Sequence, residues 1–156
     1  MEYESLKHWF GREPFFTGQD LATLSGQGAK SVAVSLSRWV KSGRILRLRR
    51  GLYTLNAMDR QQSLSPAYLA SVLVEPSYLS GVWLLSTFSV IPEAVFMLTS
   101  ATQARTVEFK NTEGVFRYQR LPKRAWFGYT SKATENGPAL YADVEKALLD
   151  TIYWSQ

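Results

Sequence analysis

The sequence contains no cysteine and only one histidine, His8. Without cysteine the chain cannot form a disulfide, a thiolate metal site or a cysteine nucleophile. One histidine is too few for a histidine-rich zinc site. These absences exclude disulfide scaffolds and the common zinc modules, so we expect a cytoplasmic protein that needs no metal and no other cofactor.

Long apolar runs are also missing. The N-terminal residues mix charged and apolar side chains, unlike a signal peptide, and no stretch has the length of a membrane span. The 46% hydrophobic content of the 156 residues is nevertheless enough to build a core. We therefore expect a soluble protein without a membrane partner, made of one domain or of two small ones.

Acidic residues are absent from one long stretch of the N-terminal part. The net charge is +5, and residues 1–62 carry all of it, because the remainder has eight charges of each sign. Between Leu21 and Met58 there are seven basic residues and no acidic residue. A surface that carries only positive charges attracts a polyanion such as DNA.

Residues 15–55 have the element order of a winged helix-turn-helix. A short amphipathic helix over residues 2–10 precedes them. Thr17 is the predicted N-cap of a helix over residues 18–25, in which Leu21 and Leu24 should face inward. A second helix over residues 30–42 ends at Gly43, and a hairpin with arginines near its turn follows. The predicted core side of the second helix consists of Val32, Leu36, Trp39 and Val40.

The opposite side of the second helix is polar, basic and free of acids, which suits the major groove. Lys30, Ser31, Val34 and Arg38 are the candidate base readers, and Val34 can contact a thymine methyl group. The alternative is a winged helix used for protein contacts, with solvated basic side chains. The full set of candidate DNA-contacting residues is Lys30, Ser31, Val34, Ser37, Arg38, Lys41, Arg44, Arg47, Arg49 and Arg50.

A polar linker over residues 56–65 separates two predicted domains, a winged helix at 1–62 and an α+β domain at 63–156. The second domain should contain helices at 66–74 and 78–90 and a small antiparallel sheet. It should end with a helix to Trp154, capped by Asp143 and buried along one stripe. The predicted strands cover 95–99, 106–110, 115–121, 125–129 and 139–142, and the predicted stripe is Val144, Ala147, Leu148, Thr151 and Ile152.

The charged residues of the second domain form no recognisable catalytic constellation. Its acids lack any ligand motif, and we place Glu145 and Asp150 on an ordinary polar helix face, so we expect no enzymatic activity. A second basic cluster is either a partner surface or a solvated sheet edge. It consists of Arg117, Arg120, Lys123 and Arg124.

Three parts of the chain resemble the AbiEi antitoxins of bacterial abortive-infection systems. They are the head motif that ends in Arg50-Gly51-Leu52-Tyr53, the stretch Tyr78-Leu79-Ser80-Gly81, and the run from Ala142 to Asp150 that contains Glu-Lys-Ala-Leu-Leu-Asp. The sequence has Val144 where the family commonly has proline. It also ends at Gln156, where family members continue with further helices, so we expect a short variant or a fragment.

The resemblance implies a bifunctional regulator with a role in phage defence. The N-terminal winged helix would repress the promoter of its own toxin–antitoxin operon. Apart from the resemblance, winged helices commonly bind repeated half-sites of double-stranded DNA, which a homodimer would fit. The C-terminal domain would counteract a nucleotidyltransferase-like toxin. The alternative is a stand-alone winged-helix regulator whose second domain dimerises or senses a ligand.

Overall fold

The computed structural model describes residues 1–156 and divides them into two compact units, Met1–Ser63 and Leu64–Gln156. Both units combine helices with a β-sheet, which confirms the predicted α+β class. None of the helices has the length and apolarity that crossing a membrane requires.

The first unit has the arrangement of a winged helix. Its elements are α1 (Tyr3–Phe10), β1 (Phe16–Thr17), α2 (Gly18–Ser25), α3 (Ala29–Lys41), β2 (Ile45–Arg49) and β3 (Leu52–Leu55). The sheet is antiparallel, with the strand order β1-β3-β2. The hairpin β2–β3 is the wing, and the short β1 extends the sheet on the β3 side.

Local sequence signals set the ends of α2 and α3. The Thr17 hydroxyl accepts a hydrogen bond from the Asp20 amide, and the Asp20 carboxylate accepts one from the Thr17 amide, forming a capping box. Helix α3 ends in a Schellman motif, in which the amides of Gly43 and Arg44 donate to the carbonyls of Val40 and Trp39. Gly43, with φ of 70°, follows the C-cap Ser42 rather than being the cap itself.

The core of the first unit confirms most of the predicted inward positions. Val40 is only partly buried, and Leu24 is 51% exposed, so the prediction that it faces inward was wrong. The short helix α2 buries only Leu21. The buried cluster consists of Leu6, Phe10, Phe16, Leu21, Val32, Leu36, Trp39, Ile45 and Leu55.

The second unit is built on a six-stranded sheet. Its elements are α4 (Pro66–Leu73), β4 (Ser77–Leu79), α5 (Gly81–Thr87), β5 (Leu98–Thr102), β6 (Val107–Asn111), β7 (Gly114–Arg120), β8 (Tyr129–Ala133), β9 (Pro138–Ala142) and α6 (Val144–Trp154). The strand order in the sheet is β6-β7-β5-β4-β9-β8, and a short 3-10 turn, Lys123–Ala125, precedes β8.

This sheet is mixed, whereas an antiparallel sheet was predicted. Strand β5 lies parallel to β7, because β6 forms a hairpin with β7 and the pair docks on β5 through β7. Strand β4 pairs with β5 on one side and with β9 on the other. The prediction of a helix from Tyr78 was therefore wrong, since these two neighbours hold Ser77–Leu79 as a strand and the helix begins at Gly81.

Two further boundaries differ from prediction. The predicted strand at 125–129 falls on the end of the 3-10 turn, and β8 starts only at Tyr129. The first part of the predicted linker belongs to the first unit, because the Asn56 amide donates to the Arg44 carbonyl and the Gln61 amide donates to the Gly11 carbonyl. These bonds lie between residues distant in sequence, which explains why local composition did not reveal them.

Helix α6 buries a different side from the predicted one. Of the predicted stripe only Ala147 is buried, and Leu148 and Ile152 are 48% and 51% exposed. The inward side instead presents Lys146, Ala147 and Asp150. The packing of this helix therefore depends on a buried polar pair that hydrophobic periodicity cannot detect.

Candidate nucleic-acid interface

The outer side of α3 is a continuous exposed surface. Lys30, Val34, Ser37 and Lys41 follow one another at intervals of three or four residues and are all exposed. Residues at this spacing share one face of a helix. This face is therefore exposed to solvent along the full length of the helix, with a lysine near each end and small side chains between the two lysines.

An open depression of about 720 Å³ lies against this helix. Its lining comes entirely from the middle and the C-terminal part of α3 and from the C-cap: Ala33, Val34, Ser37, Arg38, Lys41 and Ser42. The lining combines methyl groups, hydroxyl groups and two basic side chains. These are groups that contact thymine methyls, base edges and phosphates in major-groove complexes.

The wing presents its arginines in two different ways. Arg47 and Arg50 are exposed, and Gly51 turns the chain between the strands with φ of 80°. Arg49 is partly buried, and its Nη1 donates to the Arg50 carbonyl at 3.0 Å. Arg47 and Arg50 are thus the wing side chains best placed to reach a phosphate, while Arg49 also stiffens the turn.

Ser31 and Arg44, two of the predicted contact residues, also have partners within the first unit. Ser31 Oγ donates to Gln27 Oε1 at 2.9 Å, which ties the start of α3 to the preceding turn. The Arg44 guanidinium lies 5.0 Å from the centre of the Tyr3 ring. Both side chains are exposed, so each has a stabilising contact in addition to any contact with DNA.

The Tyr3 hydroxyl of α1 links this helix to Arg44 and Asp59. It lies 2.8 Å from the Asp59 carboxylate and 2.8 Å from the Arg44 carbonyl. Burial, together with the hydrogen bond to Asp59, raises the pKa of Tyr3, so the hydroxyl keeps its proton and donates. Asp59 also lies 3.8 Å from Lys7, which pairs with Glu4 at 2.8 Å.

The second basic cluster does not form one surface. Arg117 and Arg120 are three residues apart in β7 and therefore face opposite sides of the sheet. Arg117 also lies 3.8 Å from Glu108 on the adjacent strand β6, which offsets part of its charge. Lys123 and Arg124 are exposed on the 3-10 turn. Only these last two remain adjacent, unpaired basic groups on a common element.

The most buried polar cluster of the second unit was missed by the sequence reasoning. Asp150 is 1% exposed and accepts a hydrogen bond from Lys146, which is 4% exposed. Tyr78 and Ser80 donate their hydroxyls to the same carboxylate at 2.9 and 2.7 Å. The placement of Asp150 on an ordinary polar face was therefore wrong. The i, i+4 spacing of Lys146 and Asp150 is typical of an ion pair on one side of α6, but this spacing does not indicate that the pair is buried.

This cluster joins two of the three segments that carry the family resemblance. Tyr78 and Ser80 belong to the Tyr-Leu-Ser-Gly stretch, and Lys146 and Asp150 belong to the Glu-Lys-Ala-Leu-Leu-Asp run. The carboxylate of Asp150 and the ammonium of Lys146 pair with each other inside the core. No group of three or more His, Asp or Glu side chains is arranged to hold a metal ion. The hydrogen bonds from Tyr78 and Ser80 to Asp150 link α6 to strand β4 and to the residue that follows this strand.

Residues 4–56 match the protein family described as "Transcriptional regulator, AbiEi antitoxin". Over this stretch the N-terminal unit is similar to the AbiEi antitoxins. The match covers the AbiEi-type head from α1 to the end of the wing and confirms the predicted resemblance there. That family is one of transcriptional regulators and antitoxins. No curated protein matches the chain.

Proposed function

We propose that the protein is a DNA-binding repressor that autoregulates a toxin–antitoxin operon. Helix α3 enters the major groove, and the wing contacts the neighbouring backbone or minor groove. One observation carries this proposal: the exposed face of α3 and the wing bear basic residues and no acid, within an AbiEi-type head. A solvated surface that served no polyanion would seldom be free of acids over such a length.

The residues divide into two roles by their position. Lys30, Ser31, Val34, Ser37 and Arg38 lie on the part of α3 that faces the base edges. The remaining side chains contact phosphates or the minor groove, with Lys41, Arg47 and Arg50 the least engaged within the protein and Arg44 and Arg49 partly held by it. Such backbone contacts set the position of the head but carry no sequence information directly.

The second unit is assigned to antitoxicity. In this proposal it counteracts a nucleotidyltransferase-like toxin encoded beside it, and the head binds repeated half-sites as a homodimer. The support is the antitoxin description of the family that the head matches.

A hollow of about 490 Å³ in the second unit favours an alternative, in which this unit senses a small ligand. It is lined by Ser71, Glu75, Pro76, Ser77, Ser131, Pro138, Ala139 and Leu140.

A promoter reporter combined with toxin co-expression tests both halves of the proposal. The full-length protein should repress the promoter upstream of its gene and restore growth when the neighbouring gene is expressed. The variant Arg47→Ala/Arg50→Ala should lose repression, because two exposed cations of the wing are removed, and should still restore growth. The control Lys123→Ala/Arg124→Ala removes the same charge from the second unit and should still repress.

Two results would contradict the proposal. Full repression by the wing variant would show that the wing does not contribute to DNA binding. Failure of the full-length protein to restore growth would contradict the proposed antitoxin activity and would favour the stand-alone regulator.

A further inference from the structure

The side chains of α3 restrict which bases it can read. The helix has the sequence Ala-Lys-Ser-Val-Ala-Val-Ser-Leu-Ser-Arg-Trp-Val-Lys and contains no Asn, Gln, Asp or Glu. Asn and Gln are the side chains that pair with adenine, and Asp and Glu are those that accept from cytosine. Helix α3 therefore cannot recognise adenine or cytosine through these side-chain pairings.

Three kinds of contact remain open. Lys and Arg can bind guanine, Ser can bind several bases without strong preference, and the methyl groups of Ala and Val can contact the thymine methyl. The basic side chains Lys30, Arg38 and Lys41 lie towards the two ends of the exposed face. The middle of the face is left with methyl and hydroxyl groups only.

Val34 occupies that middle position. It is 69% exposed, it lines the open depression against α3, and exposed Ala33 and Ser37 lie next to it on the surface. Neither neighbour is bulky, so the helix can approach the base edges closely. Val34 adds nothing to the core, and its β-branched side chain is less favourable in a helix than alanine. Fold stability therefore gives no reason for a valine at this position.

We propose that Val34 reads the methyl group of a thymine, so that an A·T pair lies at the centre of each site bound by α3. The adenine of this pair is then recognised through its thymine partner, and any guanine contact lies to one side, within reach of Lys30 or Arg38. This inference rests on the proposed function, since it requires α3 to lie in the major groove.

Replacing thymine with deoxyuridine isolates this contact, because it removes only the methyl group. Duplexes bound by the full-length protein are first selected from a random library, and each thymine of the enriched site is then replaced in turn. At one position the wild-type protein should bind about fourfold more weakly, the effect of one buried methyl group. Val34→Ala should bind the thymine duplex several-fold more weakly and should show no further loss on the deoxyuridine duplex.

Val90→Ala is the matched control. Val90 is a valine of the second unit with 50% exposure, so the substitution is the same and lies outside α3. This variant should bind both duplexes as the wild type does. Thermal unfolding of Val34→Ala should match the wild type, because the replaced side chain is exposed and alanine is the better helix former.

The outcomes separate the inference from the proposed function. Enriched sites without thymine, or a Val34→Ala variant that keeps the fourfold loss on deoxyuridine, would overturn the methyl contact while leaving DNA binding intact. An absence of enrichment from the library would overturn the proposed function and the methyl contact together.

Discussion

Replacement of Asp150 by alanine should strongly destabilise the second unit. The substitution leaves the ammonium of Lys146 in the core without its carboxylate, and the hydroxyls of Tyr78 and Ser80 lose their acceptor. Breaking a buried ion pair by removing one partner costs about 3–5 kcal/mol. The two orphaned hydroxyls add to this loss. We therefore expect a decrease of at least about 3 kcal/mol in the free energy of unfolding.

The neighbouring residue supplies a matched control. Leu149→Ala removes the same number of heavy atoms from the same helix, but Leu149 is 54% exposed, so this variant should lose no more than about 1 kcal/mol. Replacing both charged partners, as Lys146→Met/Asp150→Leu, should recover much of the lost stability, because it leaves no buried charge unpaired.

Urea denaturation, combined with amide hydrogen exchange of peptides from α6 and β4, measures these differences within the second unit. The reasoning is refuted if Asp150→Ala and Leu149→Ala differ by less than about 1 kcal/mol, the outcome expected of an ordinary polar helix face.

Three smaller predictions follow from other contacts. Burial and the charge of Asp150 raise the pKa of Tyr78 above its ordinary value of 10.0, so the folded state holds this proton more tightly than the unfolded state. The resulting stabilisation is present below pH 10 and is lost as the pH rises further. Urea denaturation at a series of pH values should therefore show a smaller loss of unfolding free energy for Tyr78→Phe than for the wild type. An equal loss in both proteins would contradict this assignment. Thr17→Ala removes the capping box and should lower the unfolding free energy by about 1 kcal/mol, whereas Thr23→Ala within α2 should have less effect. Ile152→Ser should leave the thermal midpoint within a few degrees of the wild type, and a large decrease would show that this exposed side chain is packed.

The features predicted correctly from the sequence depend on residues close together in the chain. Thr17 and Asp20 form a capping box within one helical turn, and Gly43 follows a helix whose period of apolar residues is clear. The same period separated the buried Val32 from the exposed Val34 of the candidate interface. Neighbouring residues are sufficient to determine such features.

The features that were missed depend on distant partners. Ser77–Leu79 is a strand because it pairs with β5 and β9, and β9 lies about sixty residues later in the chain. Asp150 is buried because hydroxyls seventy or more positions away reach it. A charged side chain normally marks a solvated face, so no local rule places it in the core. Arg117 was grouped with basic neighbours for a related reason, since Glu108 lies opposite it only once β6 and β7 pair.

The salt dependence of duplex binding tests the central claim most directly. Contacts between basic side chains and phosphates release counterions, so the affinity of the full-length protein for a selected duplex should fall steeply between about 50 and 200 mM salt. Arg47→Ala/Arg50→Ala should reduce the slope of log K against log salt by about two, one for each lost phosphate contact. Binding that does not change with salt, or a slope that the two wing substitutions leave unaltered, would contradict a DNA-reading head built from α3 and the wing.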